Sequence, residues 1–189
     1  RQGRILLDGV DIRDLPITTL RKRLGVVLQD TFLFSGSVAD NLMLDTQRPR
    51  AELEQICADL GLNPLLQRLP QGLDTPLRER GGNLSSGERQ LLAVARVALR
   101  DPSVLVMDEA TAFMDPSTEA TLQRDLERVL NRRTAIVIAH RLATVEASDR
   151  ILVLKRGRLV EEGTHQELRR QGGLYAQLAE LQERGLASL

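Results

Sequence analysis

The stretch from residue 84 to residue 111 constrains this chain more than any other. LSSGERQ (84–90) opens a helix whose apolar positions Leu91, Leu92, Ala95 and Leu99 share one face, and VLVMDEAT (104–111) follows close behind. Val104, Leu105, Val106 and Met107 leave no polar position on either side of a strand. Strands of that kind belong to parallel sheets covered on both faces. A second such run, TAIVIA (134–139), ends at His140. Helices alternating with wholly apolar strands specify an α/β layered domain.

The rest of the chain fits around that core. Residues 5–7 and 10–12, joined by Asp8-Gly9, read as a β-hairpin. Pro16 opens a short helix to residue 23. Residues 25–28 form an apolar strand that ends at Gln29, and 32–41 read as a loop with an apolar front. Residues 50–60 and 64–69 read as helices separated by Gly61, and 75–83 as a polar loop. Asp115-Pro116 caps and starts a helix running to residue 131. A hairpin around Gly157 (150–154 and 159–161) precedes closing helices 164–170 and 174–184, broken by Gly172-Gly173. Tyr175 and Cys57 fall in helical patterns and read as packing residues; His165, inside a Thr164–Glu167 capping box, carries no chemistry.

Composition narrows the function. With 189 residues the chain can bury a real core, and its 26 basic residues balance 26 acidic ones. A neutral chain has no field to draw nucleic acid or anionic lipid. Cys57 is the single cysteine, so no internal disulfide framework exists and a reducing cytosol is the default. The longest apolar runs are far too short to cross a bilayer.

Each motif has a plain reading and a chemical one. Ser85 and Glu88 make a capping box. The same helix start offers unpaired N–H groups and a partial positive charge to a phosphate, with the Ser85 hydroxyl alongside and Gly87 permitting close backbone approach. Asp108 and Glu109 could be acids at a strand end facing solvent. Read chemically, Asp108 holds Mg2+ directly or through water, and Glu109 accepts the proton of an attacking water. Gln29, Asp108, Glu109 and His140 all stand at the ends of apolar strands. In open α/β sheets that edge is where ligands bind. Four polar groups at three strand ends are more specific than any one of them.

With these motifs in place, the chain resembles the nucleotide-binding domain of ABC transporters, in particular the multidrug/lipid exporter class, over residues 3–182. Gln29 matches the Q-loop, LSSGERQ the signature, VLVMDE the Walker B strand, AFMD (112–115) the D-loop and His140 the switch histidine. TFLFSGSVADN (31–41) and TPLRERGGNLSSG (75–87) resemble exporter segments around the Q-loop and before the signature.

The resemblance implies an ABC-type ATPase core, a mostly parallel sheet with flanking helices, an antiparallel β part and a helical signature subdomain within about residues 40–100. It implies that residues 1–189 are most of one such domain. The phosphate loop and the adenine-stacking residue are expected before Arg1, since no G-x-x-x-x-G-K-[ST] occurs in the chain. The 189 residues alone are therefore expected not to hydrolyse ATP. In the complete protein two such domains dock head to tail with ATP and Mg2+ between them. Glu109, His140 and Gln29 are then catalytic, and Asp108 and Gln29 serve the metal. Ser85, Gly87 and Asp115 reach the partner's ATP. Residues 29–41 meet a transmembrane domain of the same parent chain, at the cytoplasmic face of the cell membrane, and hydrolysis drives export.

The chain departs from the family pattern L-S-G-G-Q at Ser86 and Glu88, and its D-loop lacks the usual serine. An altered signature beside an intact Glu109 implies a heterodimer with unequal sites. Two other readings are weaker. DNA-repair and chromosome-organising relatives place a long coiled coil between the Q-loop strand and the signature, whereas residues 29–84 are short and lack heptads. A regulatory module that binds without hydrolysing sits badly with Glu109.

Overall fold

The computed structural model describes residues 3–28, 32–44, 46, 48–108, 133–139 and 142–185. They fall into two compact units, residues 1–137 and 138–189.

The first unit starts with the expected hairpin, β1 (Leu6–Leu7) antiparallel to β2 (Val10–Asp11). Asp8 and Gly9 both adopt positive φ at its turn. Helix α1 (Ile17–Arg23) follows Pro16 and runs straight into β3 (Leu24–Val27). Strand β3 pairs in parallel with β6 (Val104–Asp108), Val27 beside Met107. On the other side of β6 lies β7 (Thr134–Ile138). Thr134 donates its N–H to Ser103 O at 3.2 Å, so β6 and β7 start at the same end.

Two short strands, β4 (Gly36–Ser37) and β5 (Pro76–Leu77), pair antiparallel. Around them are helices α2 (Val38–Met43), α3 (Arg50–Asp59), α4 (Asn63–Arg68) and α5 (Ser86–Leu99). One apolar core joins these helices to the sheet; it includes Leu42, Leu53, Leu62, Leu92, Leu99 and Leu105, each at most 1% exposed. Cys57 is buried there as expected, and burial pushes its thiol up to about 11. Helix α5 lies so close to β3 that a Cβ on Gly25 would stand 2.4 Å from Val97 Cγ1 and 2.7 Å from Pro102 Cγ. Only glycine fits at that crossing.

Three expectations need correction. The loop read over 32–41 holds a strand and the start of α2. Ser37 and Asp40 form a reciprocal capping box there, a signal visible in the sequence. The polar loop over 75–83 contains β5 and a 3-10 turn at Glu79–Gly81. Strand β7 is not covered on both faces: Ile136 is 57% and Ile138 53% exposed. Among the described residues β7 is the outer strand of its sheet. Apolar sequence gives a strand's capacity for burial, and neighbouring layers decide whether it is used.

The second unit contains helix α6 (Leu142–Glu146), which has no counterpart in the sequence reading. The hairpin β8 (Ile151–Lys155) and β9 (Arg158–Gly163) follows, then α7 (His165–Gln171) and α8 (Leu174–Glu183). Gly172 ends α7 in the left-handed region, at φ 66° and ψ 19°. Ile151, Val153, Leu168, Tyr175 and Ala179 form a separate small core. The Glu161 carboxylate accepts the Leu174 and Tyr175 N–H groups, capping α8. His165 is more than a capping-box passenger: its Nδ1 lies 2.7 Å from the Tyr175 hydroxyl and its Nε2 3.7 Å from Glu146. Among the described residues no helix is long and apolar enough to cross a membrane.

Candidate functional site

Two half-sites take shape in the first unit. One is the start of α5. Ser85 is its N-cap, in extended geometry at φ −67° and ψ 164°. The Glu88 N–H donates to Ser85 Oγ at 3.3 Å, and the Ser85 N–H donates to Glu88 Oε2 at 2.8 Å. Ser85 and Ser86 are exposed, whereas Gly87 is buried in this chain. The approach to the helix is held from behind. Arg89 donates to Leu84 O at 2.7 Å, and Asn83 accepts the Arg78 N–H at 3.0 Å. Gly81, at φ +69°, leaves no room for a Cβ, which would lie 2.7 Å from Leu33 Cδ1.

The other half-site is the carboxyl end of the sheet. Asp108 is the last residue of β6 and is half-buried. The parallel register brings the end of β3 beside Met107, so the chain leaves both strands at one edge. Among the described residues, no three acidic, histidine or cysteine side chains gather as a metal cage. Mg2+ does not need one. It keeps several waters and is typically held by one or two carboxylates plus substrate phosphates. One hard carboxylate at a strand end fits that chemistry. Gln29, Glu109, Asp115 and His140 lie outside the described residues.

Sequence reasoning missed the device that holds residues 32–43. Arg96, in the last turn of α5, donates to Asn41 O at 2.8 Å, Phe32 O at 3.0 Å and Asn41 Oδ1 at 3.1 Å. Its guanidinium stands 5.7 Å from the Phe34 ring centre. Burial pushes Arg96 below the usual guanidinium pKa. Asn41, 1% exposed, accepts the Phe34 N–H at 2.8 Å and donates to Phe34 O and Ser37 O. Phe32 and Phe34 remain 55% and 48% exposed, packed edge to face on each other at 5.0 Å. One clue was available: Arg96 interrupts the apolar stretch of α5 beside Ala95.

Comparison with known proteins agrees with this geometry. The family model described as ABC transporter matches residues 1–112. The "Probable multidrug resistance ABC transporter ATP-binding/permease protein YheH" of Bacillus subtilis (strain 168) is 45% identical over 184 residues, covering 97% of this chain and 27% of that protein. An "ATP-dependent lipid A-core flippase" of Pseudomonas syringae pv. tomato is 45% identical, covering 93% of this chain and 30% of that one. Among solved structures, a bacterial Atm1-family ABC exporter with ATP bound superposes with a TM-score of 0.87 at 42% identity, over 99% of this chain and 32% of that chain. The chain thus spans about a third or less of the length of these relatives. With the signature at the start of α5 and Asp108 at the end of a parallel strand, the chain belongs to the ABC transporter family.

Proposed function

We propose that this chain is the catalytic part of the ATP-binding domain of an exporter, which couples ATP binding and hydrolysis to movement of a substrate across a membrane. The observation that carries the reading is the pairing of two half-sites in one fold. An exposed Ser85 caps the signature helix, and Asp108 ends a parallel strand, in a chain that superposes on an ATP-bound exporter.

In this reading ATP held by the domain lies at the carboxyl edge of β3 and β6. Mg2+, when bound, offsets charge on the phosphates. Asp108 and Gln29 hold it, directly or through water. Glu109 takes the proton of the attacking water, and His140 contacts the γ-phosphate. Ser85, Gly87 and Asp115 face the ATP of a second domain. Phosphoryl transfer asks mainly for positioning and charge, so no covalent intermediate is needed. Residues 29–41, with the exposed Phe32–Phe34 pair, form the surface that meets the transmembrane domain on the cytoplasmic side. In the same reading about residues 40–100 include the signature subdomain, and residues 1–189 are most of one ATP-binding domain.

The partner domain is proposed to be a different chain, because Ser86 and Glu88 alter the signature while Glu109 is intact. Expressing the intact parent alone tests that point. A stable homodimer with two equivalent, active sites refutes it. The main reading is tested by purifying the intact parent in lipid and measuring Mg-ATP hydrolysis in wild type and Asp108→Ala. Hydrolysis that depends on Asp108 supports the reading. Wild-type turnover in the variant would sink it.

A further inference from the structure

Glu88 stands where the family pattern has a neutral glutamine, in the turn assigned to a polyphosphate anion. An unpaired carboxylate there would oppose both the partial charge of the helix start and the ligand. The structure places that charge elsewhere. Glu88 Oε2 is taken by the Ser85 N–H at 2.8 Å. Glu88 Oε1 is paired with the guanidinium of Arg68, the last residue of α4. The Glu88 side chain is only 13% exposed, whereas that of Arg68 is 63% exposed. The nearby Arg89 is turned away, onto Leu84 O at 2.7 Å. The acid is therefore folded back on its own cap and covered by a cation from another helix. Glu88 with Arg68 sums to zero charge, the same as the glutamine it replaces.

We infer that Arg68 is a positioning residue for the signature: it neutralises Glu88 and holds its carboxylate back on the Ser85 N–H, so that this turn can face the phosphates of a partner's ATP. The inference rests on the assignment of Ser85 and its neighbours to that ATP. It also removes the charge from the argument for unequal sites, leaving Ser86 to carry it.

The test is a double-mutant cycle on the intact parent in lipid, read as the apparent KM for Mg-ATP. Arg68→Ala raises KM about fivefold with little change in kcat, and Arg68→Lys, which keeps the charge, stays within about twofold of wild type. In a Glu88→Gln background, where the capping box survives because glutamine also serves at that position, Arg68→Ala changes KM by less than about 1.5-fold. Raising the salt from 50 to 500 mM shrinks the Arg68→Ala effect. The Arg68 end of the pair is exposed but the Glu88 end is only 13% exposed, so melting temperatures are read beside KM to separate a loss of folding from a loss of ATP affinity, and Arg68→Gln provides a second neutral variant.

Ser85→Asp separates the two layers of the claim. Aspartate caps helices as well as serine but adds an uncompensated charge in the same turn. A KM that rises for Ser85→Asp and not for Arg68→Ala overturns the role of Arg68 while the site assignment stands. A KM that moves for neither overturns both. A rise for Arg68→Ala that persists unchanged in the Glu88→Gln background also overturns the inference, because Arg68 would then act through another group.

Discussion

Replacing Arg96 should loosen the whole segment from Phe32 to Met43 without touching the two candidate half-sites directly. The guanidinium makes two hydrogen bonds to backbone carbonyls, Asn41 O and Phe32 O, and one to Asn41 Oδ1. Hydrogen bonds to a charged group are worth about 1.5–3 kcal/mol each. Removing them also relieves the cost of keeping a guanidinium mostly away from water, which is visible in its lowered pKa. The balance for Arg96→Ala is a loss of about 3 kcal/mol from the local stability of the segment. Native-state hydrogen exchange on the intact parent reads this at the Phe34 amide, held by Asn41 Oδ1 at 2.8 Å, and at the Leu44 amide, held by Asp40 O at 2.9 Å. Both should exchange about 100-fold faster, since each 1.4 kcal/mol is tenfold. Arg96→Lys, with one donor centre instead of a fork, should lose about half of that. Amides in α3, to which none of these three hydrogen bonds runs, serve as the control. Acceleration below about threefold at Phe34 would mean that the segment is held by its apolar contacts and that the guanidinium network is incidental.

Gly25→Ala forces a methyl into Val97 and Pro102 at distances no real Cβ tolerates, so the contact of α5 on β3 must open. Overpacking of this kind costs about 1–3 kcal/mol, and a lowered melting temperature of the intact parent should report it. Asp11 accepts from the Arg13 side chain and N–H, which hold its carboxyl down from the usual 3.8 to about 2. Asp11 caps the 3-10 turn Ile12–Asp14, and its depressed folded-state pKa stabilises that turn above the unfolded value, an effect lost as the pH falls through about 2. NMR titration should place the Asp11 midpoint near 2 and move it toward 3.8 in Arg13→Ala.

Most of the fold was legible because local signals and global structure agree. The Asp8-Gly9 hairpin, the Pro16 helix start, the Ser85 and Thr164 capping boxes and the Gly172 stop each act within a few residues, and each appears where expected. Helix α2 had the same kind of signal in Ser37 and Asp40, but its six residues lie in a stretch that reads as loop by length. Exposure of β7 could not be read, since apolar residues look the same whether or not a layer lies on them. The signature start and Asp108 were legible because motif spacing fixes them on a helix start and a strand end. The long-range partners of Glu88 and of residues 32–43 were not. Arg68 meets Glu88, and Arg96 meets Phe32 and Asn41, only through tertiary packing of separate helices.

The central claim is that this chain carries the hydrolytic machinery of an ATP-driven exporter, with Glu109, which directly follows Asp108, as the base. Glu109→Gln in the intact parent, assayed for both ATP binding and steady-state hydrolysis, tests it most directly. The account predicts retained ATP binding with turnover reduced by about 10²–10⁴-fold. Turnover within about twofold of wild type would contradict it.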